Sequence, residues 1–256
     1  MQKRGQVAIF FIIGIVIIIL IALIFVGRKE YGIGVPKMQF LNSKLDNVKK
    51  DLTNCIDKTV LPIIKKFADQ GGDLNPTRSV LYLNRRVKYL CYNIENDNKC
   101  INIMPPLNSM INDLDQQINE DVKQCLNKDL VKNGLGYDVV VNGEPKTNIE
   151  IIGENLVVNV NYDVTFVKNE FTNKLNEVSK EVNVPIVELY NVAHDVVNSH
   201  AKDGFFEQLF YMLNKKGAYI VNVDKSPSAG NVGDIIYRIN EKDSDFQFWF
   251  AIEGDK

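Results

Sequence analysis

Val7 to Val26 reads VAIFFIIGIVIIILIALIFV, twenty residues without a charge and with Gly14 as the one position weak in a helix. At about 1.5 Å per residue such a helix is about 30 Å long, the thickness of the hydrocarbon layer of a bilayer. In lipid a single span must satisfy its backbone internally, so helix is the form expected. A cleaved secretory signal would carry a shorter apolar region, about 7–15 residues, followed by a small-X-small site. Here the run ends in Phe25-Val26-Gly27-Arg28-Lys29. The expectation is a retained single-pass anchor whose partner is the lipid bilayer, through residues 7–26. The chain then divides into a basic N-terminus (1–6), a transmembrane helix (7–26), a glycine-containing hinge (27–37) and a head (38–256) with two modules dividing near 128–136.

Orientation is not decided by flanking charge. Lys3, Arg4 and the amino group precede the run, and Arg28, Lys29 and Lys37 follow it, which leaves the positive-inside rule balanced. The cysteines bear on the same question. Four are present, Cys55, Cys91, Cys100 and Cys125, an even number beyond an export segment, which suits disulfides in an oxidising compartment. No Cys-X-X-Cys occurs, so a zinc ribbon or thioredoxin-type site is not indicated. Three connectivities are open, and the spacing favours Cys91–Cys100 and Cys55–Cys125. The first would close the polar loop Asn93–Lys99. The second would staple two helical patterns and contribute roughly 3–5 kcal/mol through the unfolded chain.

Lys3-Arg4-Gly5-Gln6-Val7 before the apolar run resembles the class III signal of archaeal pilin-like proteins: a basic pair, a glycine, then a hydrophobic stretch. The resemblance implies a cut by a membrane peptidase on the cytoplasmic side, between Gly5 and Gln6, that leaves the anchor in place. No acidic residue follows within the apolar run, and Gly27, Gly32, Gly34 and Pro36 interrupt the continuation of the helix. The segments Cys55–Gly72, Pro105–Cys125 and Val184–Val197 also resemble a recurrent group of archaeal single-pass membrane proteins. That group shares an anchor, two cysteine-bearing helices and an antiparallel sheet, and brings no activity to transfer.

The head reads as α+β, an extracytoplasmic unit of antiparallel sheet and packed amphipathic helices. Apolar residues at helical spacing mark helices over Met38–Gln70, Leu107–Asn127 and Ile186–Lys202, with an aromatic-rich one over Phe205–Lys215. Strands are expected at Ser79–Leu83 and Val87–Tyr92 around a turn at Asn84-Arg85. Others are expected at Tyr137–Val141 before a turn at Asn142-Gly143, then at Thr147–Ile152, Leu156–Phe166 and Phe171–Val184. The end returns to strands at Ala218–Val223, Asp234–Ile239 and Phe246–Ile252, with Ser226–Gly233 as a loop.

Chemistry is sparse. His194 and His200 lie six residues apart on one helix and face sides about 240° apart, so they do not share a metal and are expected in solvent or at a helix end. Gly-X-Ser-X-Gly, His-Glu-X-X-His and Walker-type loops are missing. Neither cofactor, metal nor catalytic residue is assigned. Residues 38–256 carry 25 Lys+Arg against 31 Asp+Glu, a mild acidity that argues against nucleic acid as a partner. The most suggestive strand is the last: Phe246, Phe248, Phe250 and Ile252 alternate with Gln247, Trp249 and Ala251. It is expected either as a sheet strand buried under the Phe205–Lys215 helix, or as an edge strand presenting Trp249, with Phe248 and Phe250, to a partner.

The expected function is a membrane-anchored, non-enzymatic structural or interaction protein of the cell surface, with its N-terminus cytoplasmic and its head extracellular. Its partners would be other envelope proteins or copies of itself. Two alternatives remain open: a pilin-like filament subunit processed by a class III signal peptidase, and an envelope hydrolase with a dispersed site.

Overall fold

The computed structural model describes residues 15–21, 37–93, 99–133, 138–168, 171–225 and 233–254. It is α+β, and Val48 to Lys256 forms one compact unit, distinct from residues 1–47. Residues 15–21 (α1) are helical with every side chain exposed. Among the described residues no helix is long and apolar enough to cross a membrane. The run 7–26 is described only over α1, and Gly5, Gln6 and the hinge residues 27–36 lie outside the described residues.

Helix α2 (Lys37–Asp69) continues through Pro62. Beyond Val48 its apolar stripe, including Leu52, Ile56, Val60, Ile64 and Phe67, is buried. It stops at Gly71 and Gly72, both at positive φ (79° and 76°), where Gly72 N–H reaches back to the Phe67 carbonyl at 2.9 Å. Glycine tolerates that left-handed backbone without a Cβ penalty.

The larger sheet runs β1 (Ser79–Tyr82), β2 (Arg85–Tyr92), β9 (Gln247–Ile252), β8 (Ile235–Glu241) and β7 (Tyr219–Lys225), with the two-residue β3 (Ile101–Asn102) paired to β2. All pairs are antiparallel except β2–β9, which is parallel, with Tyr89 beside Ala251 and Cys91 beside Ile252. The first hairpin turns at Leu83-Asn84, one residue before the expected place. Both residues have positive φ (46° and 63°), the two-residue geometry whose twist matches the flanking strands. Helix α4 (Ile186–Asp203) lies over β9 and β8.

The smaller sheet is β4 (Asp138–Ile152), β5 (Asn155–Lys168) and β6 (Phe171–Val182), antiparallel throughout. Helix α3 (Leu107–Asn133) packs on β4 and buries Met110, Ile111, Leu114, Ile118 and Val122. The expected turn at Asn142-Gly143 is instead an irregularity inside one long strand. Asn142 pairs with Asp163 and Lys146 with Asn161, so Gly143, Glu144 and Pro145 bulge while pairing resumes beyond them. Gly143 takes the positive φ of 87° there. The two-module division near 128–136 falls where α3 ends and where residues 134–137 lie outside the described residues.

The cysteines stand in two bonded pairs, Cys55 with Cys125 (Cα–Cα 6.1 Å) and Cys91 with Cys100 (5.4 Å), the connectivity their spacing favours. The first ties α2 to α3. The Asp57–Lys180 ion pair at 3.0 Å adds a link from α2 to β6.

Candidate functional site

The last strand is not an edge. β9 sits between β2 and β8, and Phe248, Trp249 and Phe250 are buried. The reading of this segment as an edge strand is therefore corrected: β8 pairs with it from Gln247 to Ile252, and β2 pairs with it at Ala251 and Ile252. The expected cover is corrected as well. α5, shorter than expected (Gln208–Asn214), buries no residue and neighbours β7, whereas α4 covers β9. Phe250 stacks on Tyr237 at 5.3 Å, on the side where Tyr237 meets His200 of α4.

Trp249, alternating with Phe248 and Phe250, belongs to a second apolar cluster with Val80, Val87, Tyr89, Ile236 and Ala251. Arg85 and Arg238 place their guanidinium carbons 4.8 and 5.8 Å from its ring centre, and Tyr82 meets it edge-on at 5.9 Å. Asp224 ties this layer to β7: it accepts from Tyr82 Oη at 2.8 Å and from Arg238 Nη2 at 2.7 Å. The arrangement is a cation–π cap, with the guanidinium charges on the solvent side of a buried indole.

Arg85 also connects this cap to a groove. A depression of about 470 Å³ is lined by Pro62, Lys65, Lys66, Asp69, Gln70, Asn84, Arg85 and Arg86. The end of α2 brings Lys65, Lys66 and Asp69, and the first hairpin brings Asn84, Arg85 and Arg86. The stop at Gly71-Gly72 lets the two approach, with Lys88 N–H bonded to the Gln70 carbonyl at 3.2 Å. A Cβ on Gly71 would stand 2.9 Å from that of Lys88. Asp69, nearly buried, accepts from Arg85. Burial raises its pKa, and Arg85 and Lys65 oppose that rise. Four cations against one carboxylate give this groove a local positive balance on an otherwise acidic head. Neighbouring Lys-Lys and Arg-Arg pairs signal it in the sequence, but their convergence depends on the hairpin folding back on α2.

The remaining candidates separate. His194 is exposed beside Tyr190 and Asn198. His200, expected in solvent or at a helix end, does lie in the last turn of α4, but it is buried there and shares a hydrogen bond with Tyr237. Glu188 lies near the carboxylates of Glu154 and Glu241, and its Oε2 is buried without a hydrogen-bond partner among the described residues. Burial foremost, and then those two carboxylates, raises the Glu188 pKa. Among the described residues no group of three or more His, Cys, Asp or Glu could hold a metal ion. Most of the loop Ser226–Gly233 lies outside the described residues. Comparison with protein-family models, with curated proteins and with solved structures found no match to this chain.

Proposed function

We propose that this chain is a membrane-anchored interaction protein, non-enzymatic, whose head works outside the cytosol and engages an anionic partner at the groove between α2 and the first hairpin. The observation that carries the compartment is the cysteine pairing: both pairs are at bonding distance and none of the four is left free. Such bonds are rare in a reducing cytosol. The apolar run 7–26 supplies the anchor, and α1, its described part, buries none of its side chains. The groove supplies the charge for recognition.

The test is a peptide map of the full chain, alkylated on isolation and run with and without reductant, together with protease shaving of intact cells. Two bridged peptide pairs and a shaved head are expected. Four reduced thiols and a protected head would overturn the reading. A filament subunit is the second reading, favoured by Lys3-Arg4-Gly5-Gln6-Val7. It requires a mature chain beginning at Gln6 and sedimentable polymer, and an intact N-terminus removes it.

A further inference from the structure

Helix α5 and the residue that leads into it expose more apolar surface than any other described part of the head. Phe205, Leu209, Phe210 and Leu213 are 57%, 67%, 66% and 77% exposed. The other side of α5 is fastened. Tyr211 Oη donates to Asp195 of α4 at 2.8 Å, and Met212 Sδ accepts from Val221 N–H of β7 at 3.4 Å. Phe206 packs against Tyr211 and Tyr237. The outward face is thus held outward by contacts on its inner side. It is not a loosely attached segment.

We propose that this face dips into the interfacial layer of the bilayer that carries the anchor, as a second, shallow membrane contact. The proposal rests on the reading of residues 7–26 as a span. Three observations select lipid as the occupant. The patch is small: four side chains of about 150–250 Å² each, exposed to this degree, offer on the order of 500–600 Å². A stable dimer needs roughly 800 Å² from each partner. Its make-up is phenylalanine and leucine on one face with exposed Lys215 and Lys216 directly after the helix, the arrangement of a helix lying at a headgroup boundary. Lys202 adds a third exposed cation, and exposed Asp195, Asp203 and Glu207 balance the three, so the rim is neutral on a head that is acidic overall. Finally, the tether limits the search. Residues 27–36 span at most about 3.3–3.6 Å each and α2 adds about 1.5 Å per residue from Lys37 to Asn47 before the compact unit begins at Val48, so the head stays within several tens of ångströms of the surface and a weak contact suffices.

The test uses the full chain in vesicles of mixed phosphatidylcholine and phosphatidylglycerol. The four native cysteines are paired, so a cysteine introduced by Leu213→Cys is the one thiol that takes a nitroxide. Molecular oxygen concentrates in lipid, and a nickel chelate stays in water. The expected result is an oxygen-to-nickel accessibility ratio at position 213 several-fold above that at exposed Asn176→Cys, falling to the Asn176 level when Leu209→Asp is added. Nickel-dominated accessibility at 213 overturns the proposal, as does low accessibility to both reagents, which would mean that protein covers the face. Ile17→Cys separates the two levels. A lipid signature at 17 with a water signature at 213 removes the α5 contact alone, whereas a water signature at 17 removes the anchor and the contact with it.

Discussion

His200 on α4 and Tyr237 on β8 share a 2.7 Å hydrogen bond between imidazole Nε2 and phenol oxygen, inside the layer where the helix meets the sheet. Burial pushes the His200 pKa below the usual histidine value, with the Gly204 backbone only partly opposing it, and pushes the Tyr237 phenol up. Both groups are therefore neutral at pH 7, one donating and the other accepting.

That pair sets an acid limit on the fold. The unfolded chain protonates this histidine below about pH 6.5, while the folded chain resists doing so. Stability is fully present above that pH and declines as pH falls toward the lower folded value. Urea titrations from pH 7.5 downward are expected to show the decline, and His200→Gln should flatten it. Tyr237→Phe leaves the imidazole without its partner and should cost about 1–3 kcal/mol at neutral pH.

A second buried polar site predicts a loss without a pH signature near neutrality. Asp234 is fully buried, accepting from Tyr89 Oη at 2.7 Å and from Gly254 N–H at 3.2 Å. Burial and the Asp234 carboxylate push the Tyr89 phenol up. Asp234→Ala strands both donors and is expected to destabilise by about 2–4 kcal/mol. Chemical denaturation would record this as a lower midpoint at an unchanged slope.

The two disulfides should differ in worth. Cys55 and Cys125 are 70 residues apart and Cys91 and Cys100 nine. Loop-closure entropy assigns about 4 kcal/mol to the long link and about 2.5 kcal/mol to the short one. Paired alanine replacements, Cys55→Ala with Cys125→Ala and Cys91→Ala with Cys100→Ala, should rank in that order by unfolding free energy.

Glu188 offers a gain. Its raised pKa means that ionisation at pH 7 is resisted in the fold and not in the unfolded chain. The contribution it makes below about pH 4.5 is lost as pH rises through its folded value. Glu188→Gln is expected to stabilise by about 0.5–1 kcal/mol at pH 7, allowing for solvent screening, and to change little at pH 4. Thermal melts at the two pH values measure the difference.

The groove predicts retention of the detergent-solubilised full chain on a sulfated matrix despite its formal net charge of −2. Lys66→Glu with Arg86→Glu should release it at markedly lower salt, because fewer counterions are displaced on binding. Equal elution of wild type and variant would remove the groove as the anionic contact.

The helices were legible because their apolar spacing is decided locally: Leu52, Cys55, Ile56 and Val60 mark the buried stripe of α2 whatever it packs on. The strands were legible as strands, and β1 with β2 as a hairpin, but the neighbours distant in sequence were not. β2 and β9 meet in parallel across some 160 residues of chain, and nothing in VKYLCY or FWFAI specifies that partner. At β9 the buried-strand reading holds and the edge reading does not; alternation alone left both open, since an edge strand and a central one covered on both faces share much of the same composition. Asn142-Gly143 carries the signal of a hairpin, yet the pairing of β5 on both sides of it outweighs the turn and leaves a bulge. His200 sits at the helix end that the sequence suggests, but its burial was not legible because its partner Tyr237 comes from another element. The groove escaped for the same reason: Lys65-Lys66 and Arg85-Arg86 are ordinary dipeptides until Gly71 and Gly72 fold one back on the other.

The central place of β9 orders events during synthesis. Ile235–Glu241 and Arg85–Tyr92 share no neighbour until Gln247–Ile252 has left the ribosome, so the six-stranded sheet closes only once that strand is made. A head exported through a translocon would cross as an unclosed chain, and its cysteines would meet oxidant before the sheet is complete. Stop codons before Gln247 would then yield not a trimmed head but one whose larger sheet lacks its middle strand, a substrate for proteases.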